Sequence, residues 1–244
     1  MANGFDPRVT AAPRAPTAGR DSVAVDAGLR SYMLSVYNYM TSGVLLTGIV
    51  ALLFANSEFG RNILINGGPL RYLIMFAPLA FIMVLSFGIN RISTATAQML
   101  FWAFAVVMGV SMASIFLVFT GQSIATTFFA TAAAFAGLSL FGYTTKKDLS
   151  GFGTFLIMGV VGLLVASVIN IFLGSSTLQL AISFIGVLLF AGLTAYDTQR
   201  IKSMYFHVAG TDMMGKTVIM GALSLYLDFV NMFTFLLQFM GQRD

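Results

Sequence analysis

The 244-residue chain has no cysteine, one histidine and one tryptophan, and only 9% of its residues are charged. Without cysteine, a disulfide-stabilised secreted domain and a zinc or thiol site are excluded. A soluble globular domain has about a quarter charged residues, so this chain has too few charges to hydrate its surface. A disordered protein needs low hydrophobicity and high charge, which are also missing. The composition therefore excludes a soluble or disordered protein.

Hydrophobic residues make up 58% of the chain, and they are concentrated in runs of about twenty residues. A helix of that length crosses about 30 Å of hydrocarbon. The runs show no period-2 alternation of the kind that a β-barrel requires. The sequence therefore predicts an all-α polytopic membrane protein. Its seven transmembrane helices are predicted near Ser31–Ala55, Tyr72–Asn90, Ala97–Phe119, Gln122–Tyr143, Phe152–Leu173, Thr177–Lys202 and Thr217–Met240.

The first thirty residues differ from the rest because they hold Pro7, Pro13 and Pro16 together with four arginines and three aspartates. Such a composition buries too little apolar surface to order itself. It also lacks the apolar core of a secretory signal. The sequence predicts a flexible cytoplasmic tail over residues 1–30 and a seven-helix transmembrane domain over residues 31–241.

The basic residues are distributed unevenly between the predicted loops. With the N-terminus inside, the cytoplasmic segments carry Arg8, Arg14, Arg20, Arg30, Arg91, Lys146, Lys147, Arg200, Lys202 and Lys216. The opposite side carries Arg61, Arg71 and Arg243. This positive-inside bias predicts a cytoplasmic N-terminus, although charge counting leaves open whether the last segment spans or re-enters. No Lys/Arg run suits nucleic acid, so the expected partner is the lipid bilayer.

Two acidic residues, Asp197 and Asp228, lie inside apolar runs. An aspartate near the middle of a transmembrane helix costs about 2.5–3.5 kcal/mol, so both need a reason. Their helices are consecutive and joined by a polar loop around Ser203–Gly215. If that loop is centred near residue 210, the two acids are offset by about five residues, roughly 7 Å along the axis. Asp228 is expected to lie deeper than Asp197.

Two carboxylates that meet in a low dielectric share a proton and titrate as a pair. Such a pair could sense pH, bind a hard cation, relay protons or activate water. Alternatively, each acid is protonated and acts only in helix packing. Arg91 is the nearest candidate counter-charge, and the positive-inside bias alone would also explain it.

The segments around both acids resemble the paired signature of the Bax inhibitor family of seven-helix membrane proteins. They are Ala195–Ile201, reading AYDTQRI, and Ala222–Asn231, reading ALSLYLDFVN. Gly109–Phe116 (GVSMASIF) and Phe141–Leu149 (FGYTTKKDL) resemble bacterial members. The likeness covers residues 31–241.

This resemblance implies a central seventh helix wrapped by the other six. It also implies a bacterial inner-membrane protein that conducts a pH-sensitive calcium or other cation leak. Asp197 and Asp228 would be its pH-sensing, ion-binding pair, with weak and transient calcium binding, and Arg91 its gating counter-charge. No resident cofactor is implied. The loop between the last two helices looks longer than in some prokaryotic members.

The sequence leaves two other functions open. Intramembrane aspartyl proteases also use paired acids, but they resemble one another in a Gly-x-Gly-Asp segment, whereas Tyr226 and Leu227 precede Asp228 here. An enzyme is therefore not expected. Some bacterial relatives are thought to modulate a membrane-bound ATP-dependent protease. The Arg-rich tail would be the contact for such a partner.

Overall fold

The computed structural model describes residues 17–243, with side chains from Val25 onwards, and this part of the chain is helical throughout apart from short connections. The helices are α1 (Thr17–Asn56), α2 (Glu58–Asn66), α3 (Pro69–Gly88), α4 (Thr94–Met112), α5 (Ile115–Val118), α6 (Gly121–Thr144), α7 (Ser150–Leu173), α8 (Ser176–Val208) and α9 (Met213–Met240). Seven stretches are long and apolar enough to cross a membrane, with α4 and α5 together forming one of them. The predicted all-α fold with seven spans is confirmed.

Two local features depart from the predicted spans. The nine-residue helix α2 lies between the first two spans, where no helix was predicted. It is too short to cross a bilayer, and the Ser57 side chain caps it by accepting a hydrogen bond from the Gly60 N–H. The third span is interrupted at Ala113–Ser114, where α4 ends and α5 begins. This interruption falls within the GVSMASIF segment.

Helix α1 begins at Thr17, so helical backbone extends into the segment predicted to be a tail. Leu29 is buried, so the turn of α1 just before residue 31 packs against the rest of the bundle. Residues 1–16 lie outside the described residues, and the tail there stays a prediction.

The connection between α8 and α9 is shorter than the polar loop predicted over Ser203–Gly215. Helix α8 continues to Val208 and α9 begins at Met213, which leaves four residues between them. Gly210 has a φ of 76°, a left-handed conformation that glycine adopts without a steric penalty. The tight turn holds the last two helices as an antiparallel pair.

Helix α9 is the central element of the bundle. It packs against α1, α4, α6 and α8, while α3 packs mainly on α4 and α7 on α8. In an apolar 18-residue stretch of α9, 67% of the residues are buried, whereas the corresponding stretch of α3 has 11% buried. The resemblance implied a seventh helix wrapped by six others; in the described chain its main contacts are with four of them.

The last segment crosses the whole bundle rather than re-entering. Helix α9 runs unbroken for 28 residues, which is more than the roughly twenty residues that a span needs. Beyond it, the Gln242 carbonyl accepts a hydrogen bond from the Thr120 N–H at 3.1 Å. Arg243 forms an isolated bridge with Phe119. The C-terminal residues are therefore fixed at the α5–α6 turn.

Basic side chains collect at the end of the bundle that holds the α8–α9 turn, here called the basic end. Lys202 donates to the Tyr143 carbonyl at 2.8 Å, and Thr94 packs against Gly215. These contacts bring the α3–α4, α6–α7 and α8–α9 connections together. The residues concerned are Arg30, Arg91, Lys146, Lys147, Arg200, Lys202 and Lys216. Arg61, Arg71 and Arg243 lie towards the opposite end, and a cytoplasmic position of the basic end stays a prediction.

Candidate functional site

The interface between α8 and α9, here called the α8–α9 seam, is held close by glycines. A Cβ added at Gly221 would lie 3.2 Å from the Ile201 side chain, and one added at Gly186 would lie 2.6 Å from the Phe235 ring. The rings of Phe190 and Phe235 stack with centroids 5.9 Å apart. Small residues allow such close approach between helices in a membrane.

Both predicted acids lie on this seam. Residues seven apart return to nearly the same face of a helix, and Asp228 lies seven residues after Gly221 and seven before Phe235, which both contact α8. On α8, Asp197 lies seven residues after Phe190 and four before Ile201, which both contact α9. Both acids therefore lie on the seam, within Coulombic range of each other.

The contacts along the seam also fix the relative depth of the acids. Because Ile201 is level with Gly221, Asp197 is level with the turn around Leu225 in this antiparallel pair. Asp228 lies three to four residues further from the basic end, about 5–6 Å along the axis. This agrees with the predicted order of depth, and the offset is smaller than the predicted five residues because the α8–α9 turn lies closer to α9 than assumed.

The two carboxylates differ in their surroundings. Asp228 is 4% exposed, and its Oδ2 atom has no hydrogen-bond partner in the described part of the chain. Asp197 is half-buried and lies within Coulombic range of Asp228. A buried polar atom without a partner is rare in native structures and calls for an explanation. The α8–α9 seam thus holds an acid pair that packing alone does not satisfy.

A chain of hydroxyl groups crosses the bundle beside Asp197. The Thr198 hydroxyl donates to the Thr194 carbonyl at 2.8 Å and lies 2.9 Å from the Ser139 hydroxyl. Since the proton of Thr198 is used, Ser139 is the donor in that contact. Tyr37, 2.6 Å from Ser139, then donates to Ser139. The chain joins α1, α6 and α8 one residue away from the acid.

A second hydroxyl contact fixes α9 next to Asp228. The Thr47 hydroxyl donates to the Ala105 carbonyl at 2.8 Å, so the Tyr226 hydroxyl, 2.7 Å from it, donates to Thr47. Tyr226 is fully buried and packs edge-on against Phe104 and Phe101. These contacts tie α9 to α1 and α4, which holds the face that carries Asp228 towards α8.

Near the opposite end, the same seam contains a cluster of side-chain amides, here called the amide cluster. Gln179 donates to Gln238 at 2.8 Å, and Asn170 donates to Gln179 at 3.1 Å. The hydroxyl of Ser183, which is fully buried, donates to the Gln179 carbonyl at 2.8 Å. The cluster ties α7, α8 and α9 together.

Arg91 is placed differently from the acids. It is exposed in the turn after α3, whose backbone is closed by a hydrogen bond from the Arg91 N–H to the Gly88 carbonyl. Three residues later, Thr94 packs against Gly215 near the start of α9. Asp228 lies 13 residues further along that helix, about 20 Å. In this structure Arg91 is at the basic end, away from the acid pair, and its role as a counter-charge stays a prediction.

From the sequence, Asn170 is expected to be a buried amide that hydrogen-bonds between helices, and its bond to Gln179 confirms this. Sequence reasoning missed the hydroxyl chain and the two glutamines of the amide cluster. Their partners lie far apart in sequence, as in the 59 residues between Gln179 and Gln238. Single uncharged polar residues within apolar runs carry too small an insertion cost to stand out. Within the hydroxyl chain only Thr198 is next to a residue that the sequence had singled out, Asp197.

The donor set around the acids is limited to oxygen. Among the side chains described, from Val25 to Arg243, no group of three or more His, Asp or Glu is placed to hold a metal ion. Two carboxylates supply only part of the six to eight oxygens that calcium prefers. Any cation at this pair would be held weakly, which suits a passing ion better than a structural one.

Comparisons with known proteins give the relationship of the chain. The family described as "Inhibitor of apoptosis-promoting Bax1" matches residues 29–244. The chain is 46% identical over 237 residues to an uncharacterised protein of Caulobacter vibrioides, covering 93% of this chain and 95% of that protein. It is 47% identical over 219 residues to uncharacterised protein RP147 of Rickettsia prowazekii, covering 89% and 92%. It is 45% identical over 219 residues to the inner membrane protein YbhL of Escherichia coli, covering 89% and 94%. The chain therefore belongs to the Bax inhibitor family of membrane proteins.

Proposed function

We propose that this membrane protein is a pH-sensitive cation leak, with calcium as its substrate, and that Asp197 and Asp228 gate it. One observation carries the proposal: the Oδ2 atom of the buried Asp228 carboxylate has no hydrogen-bond partner among the described residues, and Asp197 lies within Coulombic range of it. Acidic residues inside a membrane are expensive and mark ion or proton pathways. Like YbhL, which is an inner membrane protein, the chain would act in the bacterial inner membrane.

The chemistry of the pair favours a cation that binds and leaves. When ionised, the two carboxylates form a centre of negative charge that attracts a hard cation. Conduction requires binding that is strong enough to admit an ion and weak enough to release it. Because only two acids converge, the pair meets the second condition.

Protonation supplies the pH sensitivity. A proton shared by the pair cancels part of its charge, which weakens cation binding and removes repulsion between the carboxylates. A change of charge at a bistable interface shifts it between its two states. Here the interface is the α8–α9 seam, which the stacked Phe190 and Phe235 rings fill on the side of Asp197 away from the basic end.

Calcium flux into liposomes tests this proposal. The purified full chain is reconstituted with a trapped calcium dye, and flux is measured from pH 5 to pH 8 for the native protein, Asp197→Asn, Asp228→Asn and the double variant. We expect the native flux to depend on pH and the dependence to disappear in the double variant. Asn has the size of Asp but cannot ionise, so the change removes charge alone.

Asp212→Asn is the matched control. Asp212 is an exposed acid in the α8–α9 turn whose side chain makes no capping hydrogen bond. We expect this variant to keep the native pH profile. If the double variant also keeps the native profile, the acid pair does not gate flux and the proposal is wrong.

A further inference from the structure

The FGYTTKKDL segment, which the proposed leak leaves without a role, forms one wall of a polar cavity at the basic end. The cavity has a volume of about 320 Å³ and lies between the α6–α7 connection and α8. Lys146, Lys147 and Ser150 line one side, and Tyr196, Arg200 and Ser203 line the other. One wall lies in the connection between the spans Gly121–Thr144 and Ser150–Leu173 and the other on the last turns of α8, and the side chains of Lys147 and Arg200 are exposed.

The α6–α7 connection is held against α8 by the side chain of Gln199. Its Oε1 accepts from the Leu149 N–H at 2.9 Å, and its Nε2 donates to the Lys147 carbonyl at 2.8 Å. Gly153 lies against the Tyr196 ring so closely that an added Cβ would overlap it. These contacts fix the two lysines over α8, so the cavity is preformed.

Three positive charges and one negative charge line the cavity. The negative charge, on Asp148, is already engaged, because its Oδ1 accepts from the Ser150 N–H at 2.9 Å. The hydrogen bonds recorded at Lys147 and Arg200 involve their backbone atoms. Among the described residues no hydrogen bond uses their ammonium and guanidinium groups, and Arg200 also lies within Coulombic range of Asp197. The net charge of the cavity favours an anion.

The neutral groups of the cavity are already engaged, so the charged side chains are the donors left for a ligand. The Ser203 hydroxyl donates to the Arg200 carbonyl at 2.7 Å, and the Ser150 hydroxyl and N–H both donate to the Asp148 carboxylate at the start of α7. Guanidinium and ammonium groups that face one cavity from two walls are a combination that recognises phosphate.

We propose that this cavity binds a phosphate group, from either a soluble phosphate compound or the headgroup of an anionic phospholipid. Lys147 and Arg200 hold the phosphate from the two walls, and Lys146 adds charge at the rim. The distances between these walls are set by Gln199, not by the acid pair. Phosphate binding is measured without calcium flux, so failure of this site and failure of the proposed leak are distinguishable.

Binding measurements with two probes distinguish the sources. Inorganic phosphate is titrated into the detergent-purified full chain and followed by ³¹P NMR. Phosphatidylglycerol binding is followed by native mass spectrometry, with uncharged diacylglycerol as the competitor that lacks phosphate. Binding of inorganic phosphate identifies a soluble source, and binding of phosphatidylglycerol alone identifies the lipid. Failure of both probes to bind overturns the proposal.

Single-charge variants locate the site. A charge-assisted hydrogen bond contributes enough that its loss weakens binding by about tenfold or more, so Lys147→Gln and Arg200→Gln are each expected to do so. Both side chains are exposed, and the changes should not affect folding. Lys216→Gln, which removes one charge from the same end but outside the cavity, is expected to change affinity by less than about twofold. Equal losses in all three variants would mean a diffuse attraction to the basic end and would overturn the site.

Discussion

The α8–α9 seam contains two polar clusters that differ in how their atoms are satisfied. In the amide cluster, Gln179, Gln238 and Asn170 donate and accept among themselves. In the acid pair, the buried Oδ2 of Asp228 has no partner among the described residues. A satisfied polar network rigidifies a packed interface, while a partly satisfied one destabilises it. One seam therefore combines a cluster that stabilises the packing with one that packing does not explain.

Replacing one member of each cluster is expected to give the largest difference in stability. Gln179→Leu leaves Asn170 and Gln238 without their partner, and we expect the free energy of unfolding to fall by about 1–2 kcal/mol. Asp228→Asn removes no hydrogen bond that the structure contains, so a change below about 0.5 kcal/mol is expected. Reversible unfolding of the purified variants in mixed detergent measures both values.

A loss for Asp228→Asn as large as that for Gln179→Leu would contradict the comparison. It would show that the acid supports the native packing and that its burial needs no functional explanation. Gln122→Leu serves as the control, because Gln122 is exposed and its amide contacts only Thr126, one turn away on the same helix. This change should leave the free energy of unfolding nearly unaltered.

For the hydroxyl chain beside Asp197, we expect a loss of stability between those of the acid pair and the amide cluster. Ser139 accepts from Tyr37 and donates to Thr198, but both partners have alternatives: Tyr37 is half-buried, and Thr198 keeps its bond to the Thr194 carbonyl. We expect Ser139→Ala to lower the free energy of unfolding by about 0.5–1 kcal/mol. The same unfolding measurement tests this.

Thr154→Ala is a suitable comparison for Ser139→Ala. Its hydroxyl lies 3.4 Å from the Ser150 carbonyl of the same helix, so its loss breaks no link between helices. If Ser139→Ala costs no more than this control, the hydroxyl chain contributes nothing to the packing of α1, α6 and α8.

The sequence identified the acid pair but not the two glutamines of the amide cluster, and the reason is energetic. An aspartate in an apolar run carries an insertion cost of about 2.5–3.5 kcal/mol, which makes Asp197 and Asp228 conspicuous. Gln179 and Gln238 are uncharged, and their significance depends on a partner that only the packing of α8 on α9 supplies. A charged residue in an apolar run can be recognised from the sequence alone, whereas the hydrogen-bond partner of an uncharged residue can be recognised only from the structure.

The same distinction applies to the fold. The seven spans followed from the length and hydropathy of the runs, since a bilayer imposes one length on every span. The bilayer thickness does not determine local features such as helix α2 and the interruption at Ala113–Ser114, so the sequence did not predict them. The short α8–α9 turn was also missed, because polar residues at a helix end outside the bilayer look the same as a loop.

Asp148 provides the smallest effect and a contrast to Asp228, since it is a carboxylate outside the spans that does have partners. The Ser150 hydroxyl, together with the Ser150 N–H, lowers the pKa of Asp148 below its usual value of 3.8. A carboxyl group whose pKa is lower in the folded state adds stability that is complete above its unfolded pKa and is lost as the pH falls through the folded value.

Asp148→Asn keeps an acceptor for the N–H but removes the charge. We therefore expect a slight loss of thermal stability at pH 7 that diminishes as the pH is lowered below 3.8, measured as the difference in Tm between native and variant protein. Asp212→Asn, at an exposed acid without a capping bond, is the control and should show no such trend. If the Tm difference for Asp148→Asn is the same at pH 7 and at pH 3, the charge of Asp148 does not stabilise the start of α7.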